Sequence, residues 1–235
     1  MRIRCYLAMT GAEFSATPQL SHPVAWMACH FSSYGTGLSN LPPKLPKGSV
    51  VIVNDRTPPQ GHNMDTVVSQ LQQIREAQED VSFLFDFQRP DDKELTSLVS
   101  RLEQLTDCPI AISEIYGKST SHAVFLQAPP PHASLKKHVA DWQNRELWLE
   151  LALETEKAVV THDGCRFERA ENQALKKPFF YDKALACHYR THIFSDRVEF
   201  MLQRNGETIP LLLQEAEELG IKTAVGLYQQ LHTSL

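Results

Sequence analysis

Short apolar runs recur along the whole chain, and most of them are bounded by polar or turn-forming residues. Eight of these runs have the length and residue types of β-strands. They lie at residues 2–9, 24–31, 49–55, 81–88, 109–115, 146–153, 186–193 and 223–229. Their starts fall about 32 residues apart on average, which is the length of one βα unit.

Several segments between these runs have the apolar periodicity of amphipathic helices. Residues 65–78 place Val67, Leu71 and Ile74 on one face, with Asp65 as the expected N-cap. Residues 91–105 repeat the pattern, and a last helix begins at Pro210 and stops at Gly220. A shorter helix is expected over 135–142.

The remaining gaps have the composition of loops and hairpins. Residues 10–23 are too short for a helix and contain Gly and Pro, and residues 34–48 indicate an extended loop. Asp163-Gly164 predicts a hairpin over 158–169, and Ser195-Asp196 marks a second over 190–204.

Alternation of strands and helices, with a strand near the end of the chain, favours a parallel sheet covered by helices. The sequence therefore predicts an α/β fold, a compact (β/α)8 TIM-type barrel in which hairpins and loops replace some outer helices. An open doubly wound sheet is the alternative. No GxGxxG or GxxxxGK[ST] loop follows any predicted strand, so the nucleotide-binding versions of that fold lack their phosphate-binding loop.

Composition limits the function classes. The chain has 235 residues, of which 42% are hydrophobic and 22% charged, and a formal charge of −5. This acidity argues against a general nucleic-acid or anionic-membrane binder, and no apolar run approaches the ~20 residues of a membrane span. No signal peptide is visible, and the five scattered cysteines form no CxxC pair. We expect one barrel domain over 1–235, in the cytoplasm, with the oligomeric state left open.

Strand alternation predicts which side chains enter the barrel. In the fourth predicted strand, Phe83, Phe85 and Phe87 share the face suited to helix packing, so Asp86 and Gln88 are expected to point inward near the carboxyl end. The active sites of TIM barrels lie at that end. The same reasoning, applied to the other strands, adds inward polar groups and aromatics: Tyr6, His30, Asn54 or Asp55, Glu114, Trp148, Glu150, His188, Arg190 and Tyr228.

Unpaired buried charges cost several kcal/mol each, on the order of a whole protein's net stability, so this ring is either internally paired or binds a ligand. An Asp86–Arg190 or Glu150–Arg190 ion pair that closes the barrel is the structural alternative. Arg190 would suit a carboxylate or phosphate group of a ligand. His188 and His192 are ~13 Å apart on an extended strand, too far to share one metal ion. We expect no metal and no cofactor.

The fourth predicted strand carries one recognisable motif, FDFQRP at residues 85–90 after VSFL at 81–84. It resembles the DxxDxDxE signature of family 18 glycoside hydrolases, the chitinase-like barrels. Under this resemblance Asp86 matches the last aspartate, which orients the acid and the substrate acetamido group, and Gln88 matches the catalytic glutamate. Tyr228 matches an aromatic residue of the closing strand, and an insertion is implied after the seventh strand.

The chain departs from that motif at the position that matters most for hydrolysis. Glycoside cleavage needs a group that donates a proton to the leaving oxygen, and glutamine has none to give. The earlier aspartates are also missing.

Three hypotheses follow. The barrel hydrolyses a carbohydrate-like ligand with Asp86, Glu114 and Glu150 as its carboxyl groups, or it binds a sugar without catalysis, or it is an unrelated barrel enzyme acting on an anionic metabolite. In each case the expected partner is a small molecule or an oligosaccharide. The residues expected to bind it are Tyr6, His30, Asp55, Gln88, Trp148, His188, Arg190 and Tyr228.

Overall fold

The computed structural model describes residues 3–17, 23–105, 107–171 and 178–232. Within these ranges eight parallel strands close into a barrel, and helices lie outside it. The barrel strands are β1 (Arg4–Met9), β2 (Ala25–Phe31), β4 (Val50–Asn54), β5 (Ser82–Asp86), β6 (Ile110–Ser113), β7 (Ala123–Leu126), β8 (Leu147–Leu151) and β14 (Thr223–Leu227).

Hydrogen-bonded neighbours run around the barrel in the order β1, β14, β8, β7, β6, β5, β4 and β2, and β2 returns to β1 through the pairs Ala8↔Ala25 and Met9↔Trp26. A short strand, β3 (Leu38–Ser39), pairs antiparallel with the carboxyl-terminal end of β2. The predicted TIM-type barrel is therefore confirmed. The expectation of a single domain over 1–235 stays a prediction.

Two strand assignments from the sequence are wrong. The run 186–193, expected as the seventh barrel strand, forms β12 (Cys187–Ile193) of a separate antiparallel sheet. The sixth barrel strand is instead β7, whose four residues are too few to show a period. The run 146–153 is consequently the seventh barrel strand rather than the sixth.

The second sheet is inserted between β8 and the last helix before β14. Besides β12, its strands among the described residues are β9 (Glu154–Thr161), β10 (Gly164–Ala170), β11 (Phe180–Asp182) and β13 (Val198–Arg204). They are hydrogen-bonded in the order β10, β9, β13, β12, β11. Both predicted hairpins are present, as the pairs β9–β10 and β12–β13.

The helices cover only part of the outside of the barrel. They are α1 (Gly11–Ala16), α2 (Met64–Ala77), α3 (Lys93–Leu102), a 3-10 helix (Glu114–Ser119), α4 (Leu135–Ala140), α5 (Ile209–Glu218) and α6 (Tyr228–Leu231).

The prediction of a loop over residues 10–23 is wrong in its first half. Thr10 and Glu13 form a reciprocal capping box, which satisfies the first N–H groups of α1 and lets a six-residue helix form. The N-cap of α2 is Asn63, two residues before the expected Asp65.

The alternation on β5 is as predicted. Phe83, Phe85 and Phe87 face outward and pack with apolar residues of α2 and α3, among them Leu71 and Leu98. The opposite face fills the barrel. We call its buried side chains the interior cluster: Tyr6, Ala8, Ala25, Val50, Ile52, Leu84, Ala111, Ala123, Phe125, Trp148 and Val225. Alternate residues of β5 and β8 that lie beyond this cluster therefore open onto the carboxyl end of the barrel.

Candidate functional site

A cavity of about 730 Å³ opens at the carboxyl ends of the barrel strands. Apolar members of the interior cluster form part of its wall, and polar side chains from the strand ends form the rest. The polar lining residues are Thr10, His30, Asn40, Asn54, Asp55, Arg56, Asp86, Gln88, Arg89 and Glu150. This is the end at which TIM-barrel enzymes bind their substrates.

A chain of side-chain hydrogen bonds crosses one wall of the cavity. Gln88 Nε2 donates to Asp86 Oδ1 over 2.6 Å, and Gln127 Nε2 donates to Gln88 Oε1 over 2.7 Å. Both polar atoms of the Gln88 amide are therefore occupied by protein. The arrangement holds Gln88 beside Asp86 without providing an acidic proton.

Asp86 and Glu150 are partly buried carboxyl groups that line this cavity. Burial raises the pKa of Asp86; the hydrogen bond from Gln88 opposes this, and the charge of Asp55 adds to it. Burial also raises the pKa of Glu150, against the hydrogen bond that the Ala128 N–H donates over 3.0 Å, and the charge of Asp86 raises it further. The pKa of each group is thus shifted towards the protonated form, and the charge of Asp86 contributes to the shift at Glu150.

Asp55 has a different task within the same cavity. It is only 3% exposed, and its carboxylate accepts hydrogen bonds from the backbone N–H groups of Gln88, at 3.1 Å, and of Arg89, at 2.9 Å. The end of β4 therefore fixes the backbone that follows β5. Asp55, which the sequence predicts to bind a ligand, therefore holds the main chain of Gln88 and Arg89 in place.

His30 lies near the end of β2, two strands along the barrel from β5. Its Nδ1 is 2.7 Å from the carbonyl oxygen of Phe31, and its Nε2 is 3.0 Å from Asn40 Nδ2. Both ring nitrogens thus have protein partners. The structure brings together five of the predicted residues at one cavity: His30, Asp55, Asp86, Gln88 and Glu150.

Three predicted residues of the barrel lie near this cavity but outside its lining, as far as the described residues show. Tyr6 and Trp148 are buried in the interior cluster. Glu114 begins the 3-10 helix after β6, and its carboxylate is 2.6 Å from Nε2 of His138 on α4. That hydrogen bond is the largest cause that raises the pKa of His138. The carboxylate of Glu114 is thus bonded to α4 and does not line the cavity.

The residues predicted from the run 186–193 lie elsewhere because that run is not part of the barrel. His188 and Arg190 are on β12 of the second sheet, where His188 contacts Asn205. The Asp86–Arg190 and Glu150–Arg190 pairs considered from the sequence are not among the ion pairs of the described residues. Tyr228 begins α6 just after β14, and its ring stacks on His232 at 4.9 Å.

Sequence reasoning missed Gln127 and Ala128, which contact Gln88 and Glu150 directly. Both follow β7, the strand that was not predicted. The signal available was the apolar run AVFL at 123–126, followed by Gln and then three prolines. A run of four is too short for its period to distinguish a strand from a loop.

Arg204 links the second sheet to this part of the site. Its guanidinium is 1% exposed and donates hydrogen bonds to the carbonyl oxygens of Pro129, Ala133 and Leu185. The loop that presents Gln127 and Ala128 is therefore anchored from β13. His132, in the same loop, is 2.6 Å from a carboxylate oxygen of Glu156 on β9.

The described residues contain no group of three or more His, Cys, Asp or Glu side chains arranged to hold a metal ion. Nor is any helix among them both long and apolar enough to cross a membrane.

The fold is shared with carbohydrate-active enzymes of known structure. The chain is similar to a chitinase from Chromobacterium violaceum, with a TM-score of 0.57 and 9% identity over 99% of this chain and 96% of that one. It is similar to a family 18 chitinase from Cycas revoluta, solved in complex with (GlcNAc)4, with a TM-score of 0.55 and 10% identity over 94% of each chain. This chain has the fold of a glycoside hydrolase family 18-like TIM barrel.

The family 18-like barrel also resembles the spore cortex-lytic enzyme SleL of Bacillus megaterium, with a TM-score of 0.55 and 10% identity over 96% of this chain and 70% of that one. No protein-family model and no curated protein sequence matches the chain. At these identities the likeness shows the fold alone. The FDFQRP motif does fall on β5, the fourth barrel strand, and the second sheet follows the seventh, as the resemblance implies.

Proposed function

We propose that this family 18-like barrel binds a carbohydrate chain at the carboxyl end of its strands and does not carry out proton donation at position 88. The observation that carries the proposal is the Gln88 amide, held between Asp86 and Gln127 by hydrogen bonds of 2.6 and 2.7 Å. A carboxamide has no proton to donate to a glycosidic oxygen at neutral pH.

The cavity has the mixed character that a sugar ring needs. Leu84, Phe125 and Val225 provide apolar surface for the C–H face of a ring, while Asp86, Glu150 and nearby amides offer hydrogen-bonding groups for hydroxyls. A volume of about 730 Å³ accommodates a drug-sized or short oligosaccharide ligand. The family 18 chitinase of Cycas revoluta, solved with (GlcNAc)4, makes that oligomer the first probe.

Isothermal titration calorimetry with (GlcNAc)4 tests the proposal. We expect saturable one-to-one binding without release of shorter sugars, and a loss of about 10-fold or more in affinity for Asp86→Ala, which removes a group that can bond a buried hydroxyl. Glu168→Ala, on the exposed side of the second sheet, is the matched control and should bind like the wild type. Absence of binding to oligosaccharides, neutral or acidic, would refute the proposal.

A second candidate is hydrolysis with Glu150 as the proton donor. It is favoured by one observation: burial, with a smaller contribution from the charge of Asp86, raises the pKa of Glu150, which is the direction that a general acid needs. If the wild type releases the aryl group from an aryl chitooligosaccharide and Glu150→Gln abolishes that release, this candidate replaces the first. If neither protein shows turnover while both bind, the binding function stands.

A further inference from the structure

Two arginine side chains stand at one edge of the cavity mouth. Arg56 follows β4 and Arg89 follows β5, and both line the cavity. They are tied together through Asp55, since Arg89 Nε donates over 3.2 Å to the carbonyl oxygen of Asp55, the residue that precedes Arg56. Two guanidinium groups therefore lie on adjacent strand ends of the same opening.

Few contacts among the described residues neutralise these two guanidinium groups. Arg56 is exposed, and its guanidinium has no hydrogen bond or ion pair with any described residue. The side chain of Arg89 is 44% exposed, and its one ion pair, to Asp55, is long at 3.8 Å. Asp55 is itself saturated by backbone N–H groups. Guanidinium groups that line a binding cavity and bond to the protein through few of their N–H groups suit an anionic ligand group.

The other two carboxyl groups of the cavity, Asp86 and Glu150, do not pair with the two arginines. Asp86 is bonded to Gln88, and Glu150 is bonded to the Ala128 N–H. Neither of them forms an ion pair with Arg56 or Arg89 among the described residues. Positive charge lies at the mouth and carboxyl groups lie deeper, so the two ends of the cavity differ in their electrostatic character.

We propose that the ligand is an oligosaccharide in which a carboxylate-bearing sugar alternates with a neutral one, and that Arg56 and Arg89 bind the carboxylate at the cavity mouth. This rests on the proposed carbohydrate-binding function and specifies its ligand. The planar guanidinium matches a carboxylate with two parallel hydrogen bonds. The neutral ring lies against Asp86 and Glu150, because its hydroxyl and amide groups can hydrogen-bond a carboxyl group in either protonation state, whereas a second carboxylate would be repelled by the ionised form.

Two tetrasaccharides of equal length test this assignment. One is neutral, (GlcNAc)4, and the other is a hyaluronan tetrasaccharide, which alternates glucuronate with N-acetylglucosamine. At low salt we expect the hyaluronan fragment to bind at least about 10-fold more tightly, the gain of one charge-assisted hydrogen-bonded pair. At high salt this preference should shrink, because the rim arginines are exposed to solvent screening.

Variants assign the preference to the two arginines. Arg56→Gln and Arg89→Gln should each reduce the preference for the acidic chain by about 10-fold, and Arg56→Lys should retain part of it, because it keeps the charge and loses the planar fork. Arg166→Gln, an exposed arginine of the second sheet, is the matched control and should leave the preference intact. Both positions are at the surface, and circular dichroism checks that the variants fold.

The outcomes separate this proposal from the one on which it rests. If (GlcNAc)4 binds as tightly as the hyaluronan fragment and the arginine variants do not change their ratio, the acidic-ligand proposal is wrong and carbohydrate binding stands. If neither tetrasaccharide binds, carbohydrate binding itself is refuted, and the ligand assignment falls with it.

Discussion

Gln88 Nε2 and Asp86 Oδ1 are joined by a hydrogen bond of 2.6 Å at the end of the fourth barrel strand. Under the resemblance to the family 18 motif, position 88 corresponds to the acid, two residues after the aspartate, and this chain has an amide there. The contact that would orient a carboxylic acid here orients a carboxamide. Geometry and acidity are thus separate properties of this site, and each can be tested alone.

Gln88→Glu is expected to introduce hydrolytic activity. The new carboxyl would stand within hydrogen-bond reach of Asp86, and two adjacent carboxyl groups share a proton, which raises one of their pKa values. We expect release of the aryl group from aryl chitooligosaccharides at a rate at least about 100-fold above the wild type, the usual contribution of general acid catalysis.

The matched control is Gln127→Glu, which makes the same substitution one hydrogen bond further from Asp86 and should bring no gain. A Gln88→Glu protein that binds (GlcNAc)4 but does not cleave the aryl substrate would show that position 88 is not the acid position.

The buried carboxyl groups predict a specific pH dependence of stability. The folded-state pKa values of Asp86 and Glu150 are raised, chiefly by burial, so the folded chain holds more protons than the unfolded chain between the unfolded values near pH 4 and the folded ones. The contribution of these two groups to the free energy of unfolding is therefore largest below this window and falls as the pH rises through it.

The double variant Asp86→Asn/Glu150→Gln removes both titrations and keeps a hydrogen-bond acceptor at each position. Urea unfolding between pH 4 and pH 8 should give a shallower decline for this variant than for the wild type. Asp107→Asn, whose side chain is 70% exposed, serves as the control. Parallel curves for the wild type and the double variant would contradict the assignment.

Removal of the Asp55 carboxylate should loosen the backbone after β5. Asp55→Ala leaves the N–H groups of Gln88 and Arg89 without their acceptor, and we expect a loss of about 2–4 kcal/mol in the free energy of unfolding. Asp107→Ala, which breaks an exposed ion pair with Arg75, should cost less than about 1 kcal/mol. Equal losses in chemical denaturation would show that Asp55 is not a structural anchor.

Arg204→Met should destabilise the protein and free the loop after β7. The carbonyl oxygens of Pro129, Ala133 and Leu185 lose their buried donor, and the expected cost is about 3–5 kcal/mol. Hydrogen exchange gives a local readout, because the amide of Ala128 should exchange faster than in the wild type.

The surface variant Arg197→Met provides the comparison for Arg204→Met, since its partners are the solvent-accessible Asp196 and Glu199. Unchanged exchange at Ala128 in the Arg204 variant would mean that this loop is held by other contacts.

Alternation of apolar and polar residues was enough to predict the barrel and the inward direction of Asp86 and Glu150. Each lies on a strand of five residues with a long apolar face, so its orientation follows from the period of two. The same rule placed Arg190 inside the barrel, and that prediction was wrong because its strand belongs to the second sheet. Alternation identifies a strand and its two faces, but it does not say whether the strand pairs in parallel within the barrel or antiparallel in an insertion.

The contacts of Gln88 were beyond sequence reasoning for another reason. Gln127 is 39 positions away along the chain, and the strand that brings it to the site is only four residues long. Arg56 and Arg89 follow strand ends, where the period of two no longer applies. Asp55 precedes Arg56 in the chain and hydrogen-bonds Arg89, a contact that only the folded structure shows.

Asp55 holds residue 88 by its main chain alone, so the side chain at that position can change while the backbone stays fixed. Glutamine and glutamate codons differ by a single base. Under the proposed function, a single-base change at codon 88 therefore suffices to place a second carboxyl group beside Asp86 in a cavity that binds a sugar chain.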